Sequence, residues 1–140
     1  MTKLFYNPGG LKVSKQFVEK IFRVSQRKEK KIKGSVEVNV IGDAEMKKMN
    51  FLWRGKKETT DVLSFAWNEE KKFSSGMLGQ IFISCPQVKR QAKEAGIGFD
   101  QEFARMLVHG LLHLVGYDHA KPKDAKRMFY LQEEIVKKII

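Results

Sequence analysis

Alternation of apolar and polar residues predicts the β-strands of this chain. Between residues 35 and 41, valines alternate with polar residues, and this period of two is typical of a strand with one buried face. Further apolar segments predict strands at residues 3–6, 62–67 and 77–84. A charged loop over residues 68–76 separates the last two strands, so we expect them to form a hairpin.

Apolar residues that recur every three to four positions predict five helices. Their ends are marked by capping residues, by proline in the first turn or by glycine after the last turn. These signals are Ser14 and Asp43 as caps, Pro86 and Pro122 as openings, Arg54-Gly55 and Gly96 as ends, and Asp100 near the start of the fourth helix. The fourth helix is apolar nearly all round from Phe103 onward, which predicts that it is buried.

The order of these elements predicts the fold class. Strand, helix, strand, helix, strand, strand and then helices indicate an α+β domain, with a small mixed sheet of about four strands packed with about five helices. The chain of 140 residues is long enough to bury a core without disulfides. We therefore predict one domain over residues 1–140.

The candidate chemistry lies in one stretch, which contains all three histidines of the chain. His109 and His113 are four residues apart, so on a helix their imidazoles share one face. Gly116 can adopt the left-handed conformation that ends a helix, and the reversed chain can then deliver His119. Three imidazoles with an open coordination position are typical of catalytic zinc, so we predict a metal site on the buried helix of the C-terminal half.

The alternative is that His109 and His113 are core histidines of a buried helix. The concentration of all three histidines in a His-x3-His-x5-His spacing favours metal. Metzincin proteases share this spacing, but they carry a glutamate general base where this chain has Gly110. A metal-dependent hydrolase is therefore predicted, and a peptidase is disfavoured.

Composition and charge narrow the class of partner. Residues 1–57 hold 15 basic and 5 acidic residues of a chain with net charge +11, which favours a polyanion such as nucleic acid over a merely solvated surface. No apolar run has the length of a membrane span, and the first residues do not form a signal-peptide core, so we predict a cytoplasmic protein without membrane contact. The single Cys85 agrees with a reducing compartment.

Three blocks of sequence resemble the YbeY family of bacterial metal-dependent endoribonucleases, which are implicated in ribosomal RNA maturation. Residues 109–119 resemble the family signature in their histidines, Gly110, Gly116 and the Tyr-Asp-His ending. Residues 49–54 with 60–65 are similar to a second motif, and residues 78–84 to a third. The third block departs from the family at Gln80, where an aspartate is usual.

The resemblance implies a single-strand-specific endoribonuclease that acts in ribosomal RNA maturation and ribosome quality control, with RNA and ribosomal particles as partners. It implies one Zn²⁺ per chain, although imidazole ligands also suit Ni²⁺ and other divalent metals. Arg54 and His109 are the predicted catalytic residues: the histidine binds the metal, and the guanidinium grips phosphate oxygens. An arginine that meets the last carbonyls of its helix is the alternative for Arg54.

Further residues have two interpretations each. Asp61 and Asp118 either orient a ligand histidine or cap a turn. The possible RNA contacts, which would otherwise be solvated cations, are Lys56, Lys57, Arg27, Lys28, Lys30 and Lys31. A non-catalytic ribosome-assembly factor with a structural metal is the competing function. It would bind RNA without cleaving it.

Overall fold

The strands form one mixed four-stranded sheet in the order β1-β2-β4-β3. A computed structural model describes residues 4–9, 13–67 and 76–140. The strands are β1 (Leu4–Asn7), β2 (Ser35–Ile41), β3 (Val62–Ala66) and β4 (Met77–Ser84). β1 pairs with β2 and β2 with β4 in parallel, whereas β3 and β4 are antiparallel, as the predicted hairpin requires. Lys3 of the first predicted strand and most of the loop over 68–76 lie outside the described residues.

Within the described residues five helices accompany the sheet, which confirms the predicted α+β class. They are α1 (Lys15–Lys28), α2 (Asp43–Arg54), α3 (Cys85–Ala95), α4 (Phe99–Leu114) and α5 (Pro122–Ile139). Ser14 caps α1 as predicted, because its side chain accepts a hydrogen bond from the backbone N–H of Phe17 at 3.1 Å. Within the described ranges, no helix is both long and apolar enough to cross a bilayer.

The cap predicted at Asp43 is wrong. Gly42 holds the N-cap position of α2 without a side-chain bond, and Asp43 is the first helical residue. Its carboxylate instead accepts two hydrogen bonds of 2.9 Å from the guanidinium of Arg90 in α3 and one of 3.2 Å from Ser84. A bidentate bond to a guanidinium is stronger than a neutral capping bond, so the acid joins two helices rather than closing one.

Helix α4 lies at the centre of the core, between the sheet and helices α1, α3 and α5. Phe103, Leu107, Leu111 and Leu112 are almost fully buried, as the all-round apolar pattern predicted. The helix approaches the sheet closely at Gly110, where a Cβ would lie 3.1 Å from both Ile81 Cγ2 and Ser64 Oγ. The position that carries the general base in metzincins therefore faces the sheet in this chain.

Candidate metal centre

The end of α4 brings the three histidines together. His109 and His113 lie in its last two turns, and the backbone N–H of Tyr117 then donates to the carbonyl of Leu112 at 3.0 Å. Gly116 has φ +101°, the left-handed region that favours glycine. This tight turn reverses the chain, so the three-residue segment that follows places His119 opposite the other two rings.

The geometry of the cluster suits a single metal ion. The three histidines each offer one ring nitrogen, and these nitrogens all lie within 4.8 Å of one another. The ring centroids are 4.7 Å apart for His109 and His113, 5.3 Å for His109 and His119, and 5.1 Å for His113 and His119. The predicted proximity is confirmed.

The protonation state of His109 and His113 also suits metal binding. Burial lowers the pKa of His109 and of His113, and the neighbouring histidines lower both further. Metal binding requires neutral imidazole, and a depressed pKa keeps His109 and His113 neutral at physiological pH. Within the described chain no cysteine or carboxylate belongs to the cluster, so a metal held there would have three imidazole donors, a set that suits zinc, nickel and copper.

One residue of the site was missed from the sequence. Gln132 of α5 is 4% exposed, and its Oε1 lies 2.7 Å from Nδ1 of His109. A signal was present, because Gln132 is a polar residue that shares the helical spacing of Met128 and Ile135, both fully buried. A buried amide needs partners, but the sequence does not say which.

The two carboxylates considered for orienting a histidine make local bonds. Asp61 accepts from the N–H of Val62 at 2.7 Å, and Asp118 accepts from the N–H of Ala120 at 3.0 Å. Both line the same cleft as the histidines, and Asp61 acts on His109 through its charge. Among the hydrogen bonds of the described residues, neither carboxylate contacts an imidazole.

An open cleft of about 950 Å³ lies in front of the cluster and brings Arg54 to the same site. Arg54 ends α2, and Gly55 follows with φ +70°. Buried Asn50 fixes the next loop, since its Nδ2 donates to the carbonyl of Glu58 at 2.7 Å. The exposed Lys56 and Lys57 lie in that loop, beside the cleft rather than in its lining.

Of the predicted basic contacts at and after the end of α1, the structure brings Lys31 to the turn that follows α4. Arg27, Lys28, Lys30 and Lys31 are all exposed. Lys31 lies 5.7 Å from the ring centre of Tyr117 and lines a hollow of about 200 Å³ with Asp118. Because Asp118 also lines the main cleft, the hollow that holds Lys31 adjoins the cleft of the histidine cluster.

Gln80, where the third block departs from the family, lies on β4 away from the histidines. Its Nε2 donates to Glu37 at 3.1 Å, and its Oε1 accepts from the indole N–H of Trp67 at 3.3 Å. Gln80 is not among the described residues that line the cleft. The amide therefore joins neighbouring strands through contacts that need both a donor and an acceptor, which an ionised aspartate would not offer.

The fold and the site define an α+β protein with a three-histidine cluster that could hold a metal ion, open to a cleft that also holds an arginine. Comparison with known proteins gives a narrower assignment. The family model described as Endoribonuclease YbeY matches residues 10–140. The chain belongs to this family.

Individual relatives agree. The Endoribonuclease YbeY of Persephonella marina is 43% identical over 106 residues, which cover 74% of this chain and 69% of the relative. That of Halalkalibacterium halodurans is 35% identical over 130 residues, covering 85% and 82%. The solution structure of TM1509 from Thermotoga maritima, 29% identical, superposes with a TM-score of 0.68 and covers 99% of this chain and 89% of that one.

Proposed function

We propose that this chain is a metal-dependent endoribonuclease that cleaves single-stranded RNA in ribosomal RNA maturation and ribosome quality control. The observation that carries the proposal is that Arg54 and the three histidines line one cleft. The family's name supports RNA hydrolysis as the reaction. We further propose that the protein acts in the cytoplasm on ribosomal particles.

Zn²⁺ is the proposed metal, held by His109, His113 and His119. An open three-histidine set is the usual donor arrangement of catalytic zinc. A divalent ion held there supplies Lewis acidity toward a phosphate oxygen. The exposed His119 and the half-buried His109 and His113 place the cluster at the cleft surface, where a polymer can reach it.

Arg54 would bind the phosphate and offset the charge that builds up on it. Its side chain is exposed, and within the described ranges it forms no ion pair with an acidic residue. A guanidinium can grip two phosphate oxygens at once, and its planar fork fixes their orientation. The bond from Asn50 to Glu58 holds the loop behind it, so the arginine is presented from a fixed helix end.

Aromatic side chains in the cleft favour unpaired RNA. Phe129 is 43% exposed, and its ring lies nearly parallel to those of His109 and His119, at centroid distances of 6.0 and 5.9 Å. Across the cleft lining, Phe65 meets the exposed Trp53 edge to face at 5.7 Å. Unpaired bases stack on such rings, whereas bases inside a duplex cannot.

We propose the following basic residues as contacts to the RNA backbone: Lys56 and Lys57 after Arg54, and Arg27, Lys28, Lys30 and Lys31 at and after the end of α1. Lys56 and Lys57 follow Arg54 in the chain, and Lys31 lines a hollow that shares Asp118 with the cleft. Phosphate contacts of this kind add affinity without base selectivity, and salt weakens them. Binding of single-stranded RNA should therefore fall steeply as salt rises.

Cleavage of a labelled single-stranded RNA tests the proposal. Protein stripped of metal should be inactive and should recover activity with Zn²⁺, and His113→Ala and Arg54→Ala should each lose at least about 100-fold. Arg23→Ala removes an exposed arginine outside the cleft and should cleave normally. Equal cleavage by all variants would reveal a contaminating nuclease, and RNA binding without any cleavage would favour the assembly factor.

A further inference from the structure

A chain of polar contacts leads from His109 into the interface of α4 and α5. Nδ1 of His109 lies 2.7 Å from Oε1 of Gln132, and Nε2 of Gln132 lies 3.0 Å from Oε2 of Glu133. Gln132 is 4% exposed, so water has little access to its amide. The amide is therefore held by these two partners from the protein.

The two partners decide which way the amide faces. An ionised carboxylate only accepts hydrogen bonds, so the NH₂ group of Gln132 must face Glu133. The pKa of Glu133 is lowered, chiefly by its hydrogen bonds with Arg105, which keeps the carboxylate ionised. The amide oxygen is then left facing His109, and an oxygen that only accepts requires the proton to be on Nδ1 of the ring.

Arg105 in turn fixes Glu133. Nε and Nη2 of Arg105 each lie 2.8 Å from a carboxylate oxygen of Glu133, a bidentate pair across the two helices. Nη1 of the same guanidinium lies 2.9 Å from Glu102, which is 7% exposed. Arg105 lies one helical turn before His109 on α4, so the ion pair that orients the Gln132 amide is anchored on the same helix as His109.

We propose that Gln132 is a positioning residue that holds His109 in the Nδ1-protonated tautomer and so leaves Nε2 free for the metal, with the Arg105–Glu133 pair fixing the direction of the Gln132 amide. The inference rests on the proposed metal-binding role of His109 and deepens it. A hydrogen bond to the second nitrogen of a ligand histidine sets its tautomer and ring orientation, and losing such a partner costs roughly 10- to 100-fold in metal affinity.

The first test is independent of RNA cleavage. Long-range ¹H–¹⁵N correlation spectra of the metal-free protein, recorded where the imidazoles are neutral, report which nitrogen of each ring carries the proton. We expect His109 to be protonated at Nδ1 in the unsubstituted protein. An Nε2-protonated His109 would overturn the proposal even if no variant could be purified.

The second test is the zinc affinity of Gln132→Met, which retains the length of the side chain and removes the acceptor. We expect the Nδ1-protonated form to be lost and the Zn²⁺ dissociation constant, measured against a competing chelator, to rise roughly 10- to 100-fold. Glu134→Gln is the matched control, because Glu134 pairs only with Lys137 at the surface in the described contacts. An unchanged zinc affinity or an unchanged tautomer in Gln132→Met would overturn the assignment.

A double substitution separates positioning from packing. Gln132→Glu combined with Glu133→Gln places a carboxylate acceptor against His109 and an amide against Arg105, with the same total charge. We expect the Nδ1-protonated form and most of the zinc affinity to return, whereas a residue that merely fills space would give no such rescue. If the double variant folds but binds zinc no better than Gln132→Met, the proposal fails. If RNA cleavage alone is lacking, the proposed function fails and this inference stands.

Discussion

Replacing Gly79 by alanine tests whether the metal centre depends on a close contact between α4 and the sheet. Gly79 lies on β4, paired with Ala66 of β3. A Cβ at this position would overlap the carbonyl oxygen of Phe65 and lie 2.6 Å from Cδ2 of Leu114, well inside the 3.4 Å at which ordinary contact begins. Leu114 directly follows His113, so a side chain at position 79 pushes on the end of the helix that carries the ligand.

The expected loss in the free energy of unfolding depends on which neighbouring atoms can move away from the new Cβ. Backbone cannot yield as a flexible side chain does, so the strands must separate or the helix must shift, and overpacking of this kind costs about 1–3 kcal/mol. A lost ladder bond between β3 and β4 adds about 1 kcal/mol. Alanine is favoured over glycine within a strand by roughly 0.5–1 kcal/mol, which offsets part of the loss. We expect the free energy of unfolding to fall by about 2–3 kcal/mol.

Urea unfolding at 25 °C measures the change, and Gly98→Ala is the control. Gly98 precedes α4 with φ −72°, and a Cβ there would meet nothing within 4 Å, so its replacement adds no clash and should cost about 1 kcal/mol, the typical loss at an N-cap. Gly79→Ala should also weaken Zn²⁺ binding, because the His113 ring moves with Leu114. A Gly79→Ala protein as stable as Gly98→Ala would refute the reasoning.

Two further predictions concern the exposed ring of Phe129 and the Arg105–Glu133 ion pair. Phe129→Leu should weaken binding of a single-stranded oligoribonucleotide by about 1–3 kcal/mol, because one base would lose the ring on which it stacks. Tyr130→Leu is the control and should bind normally, since Tyr130 is 68% exposed and lies outside the cleft lining. Equal effects of the two substitutions would argue against stacking on Phe129. Because Arg105 lowers the pKa of Glu133 from its ordinary value of 4.5, the ionised acid stabilises the fold above that pH, and the contribution is lost as pH falls through the lower pKa of the folded state. At pH 7 Glu133→Gln should therefore be less stable than the unsubstituted protein, by about 1 kcal/mol or less since the Glu133 side chain is 44% exposed. Urea unfolding below pH 4.5 should show a smaller difference between the two proteins. A difference that does not depend on pH would contradict the stabilising role of the ionised Glu133.

Local pattern was sufficient to predict most of the secondary structure. The alternation of Val36, Val38 and Val40 has the period of a strand whatever its neighbours are, and the serine and proline signals act within one turn of their helix. The histidine spacing was equally local, because residues four apart on a helix share a face and a glycine ends it. For these reasons the sheet, the buried helix and the cluster of His109, His113 and His119 could be predicted before the fold was known.

Features that depend on contacts distant in sequence could not be predicted in this way. Asp43 has the sequence signature of a cap, but it is bound by Arg90, which is 47 residues away. The sequence shows only that Gly110 replaces the general-base glutamate of metzincins. The packing of α4 on β3 and β4 adds that a side chain at this position would meet Ile81 and Ser64. The partner of His109 is likewise 23 residues away, on a helix whose rotation the periodicity alone leaves undetermined.

The interface of α4 and α5 bears on whether a metal at this site would serve chemistry or only hold the helices together. Met128 and Ile135 of α5 are fully buried, and the Arg105–Glu133 pair crosses the same interface with two bonds of 2.8 Å. Apolar burial and a bidentate ion pair therefore already join these helices. A structural zinc site is normally closed by four protein ligands, whereas this cluster has three imidazoles within the described chain and faces a cleft shared with Arg54. The arrangement favours a metal whose open position is used by a substrate over one that only pins the fold.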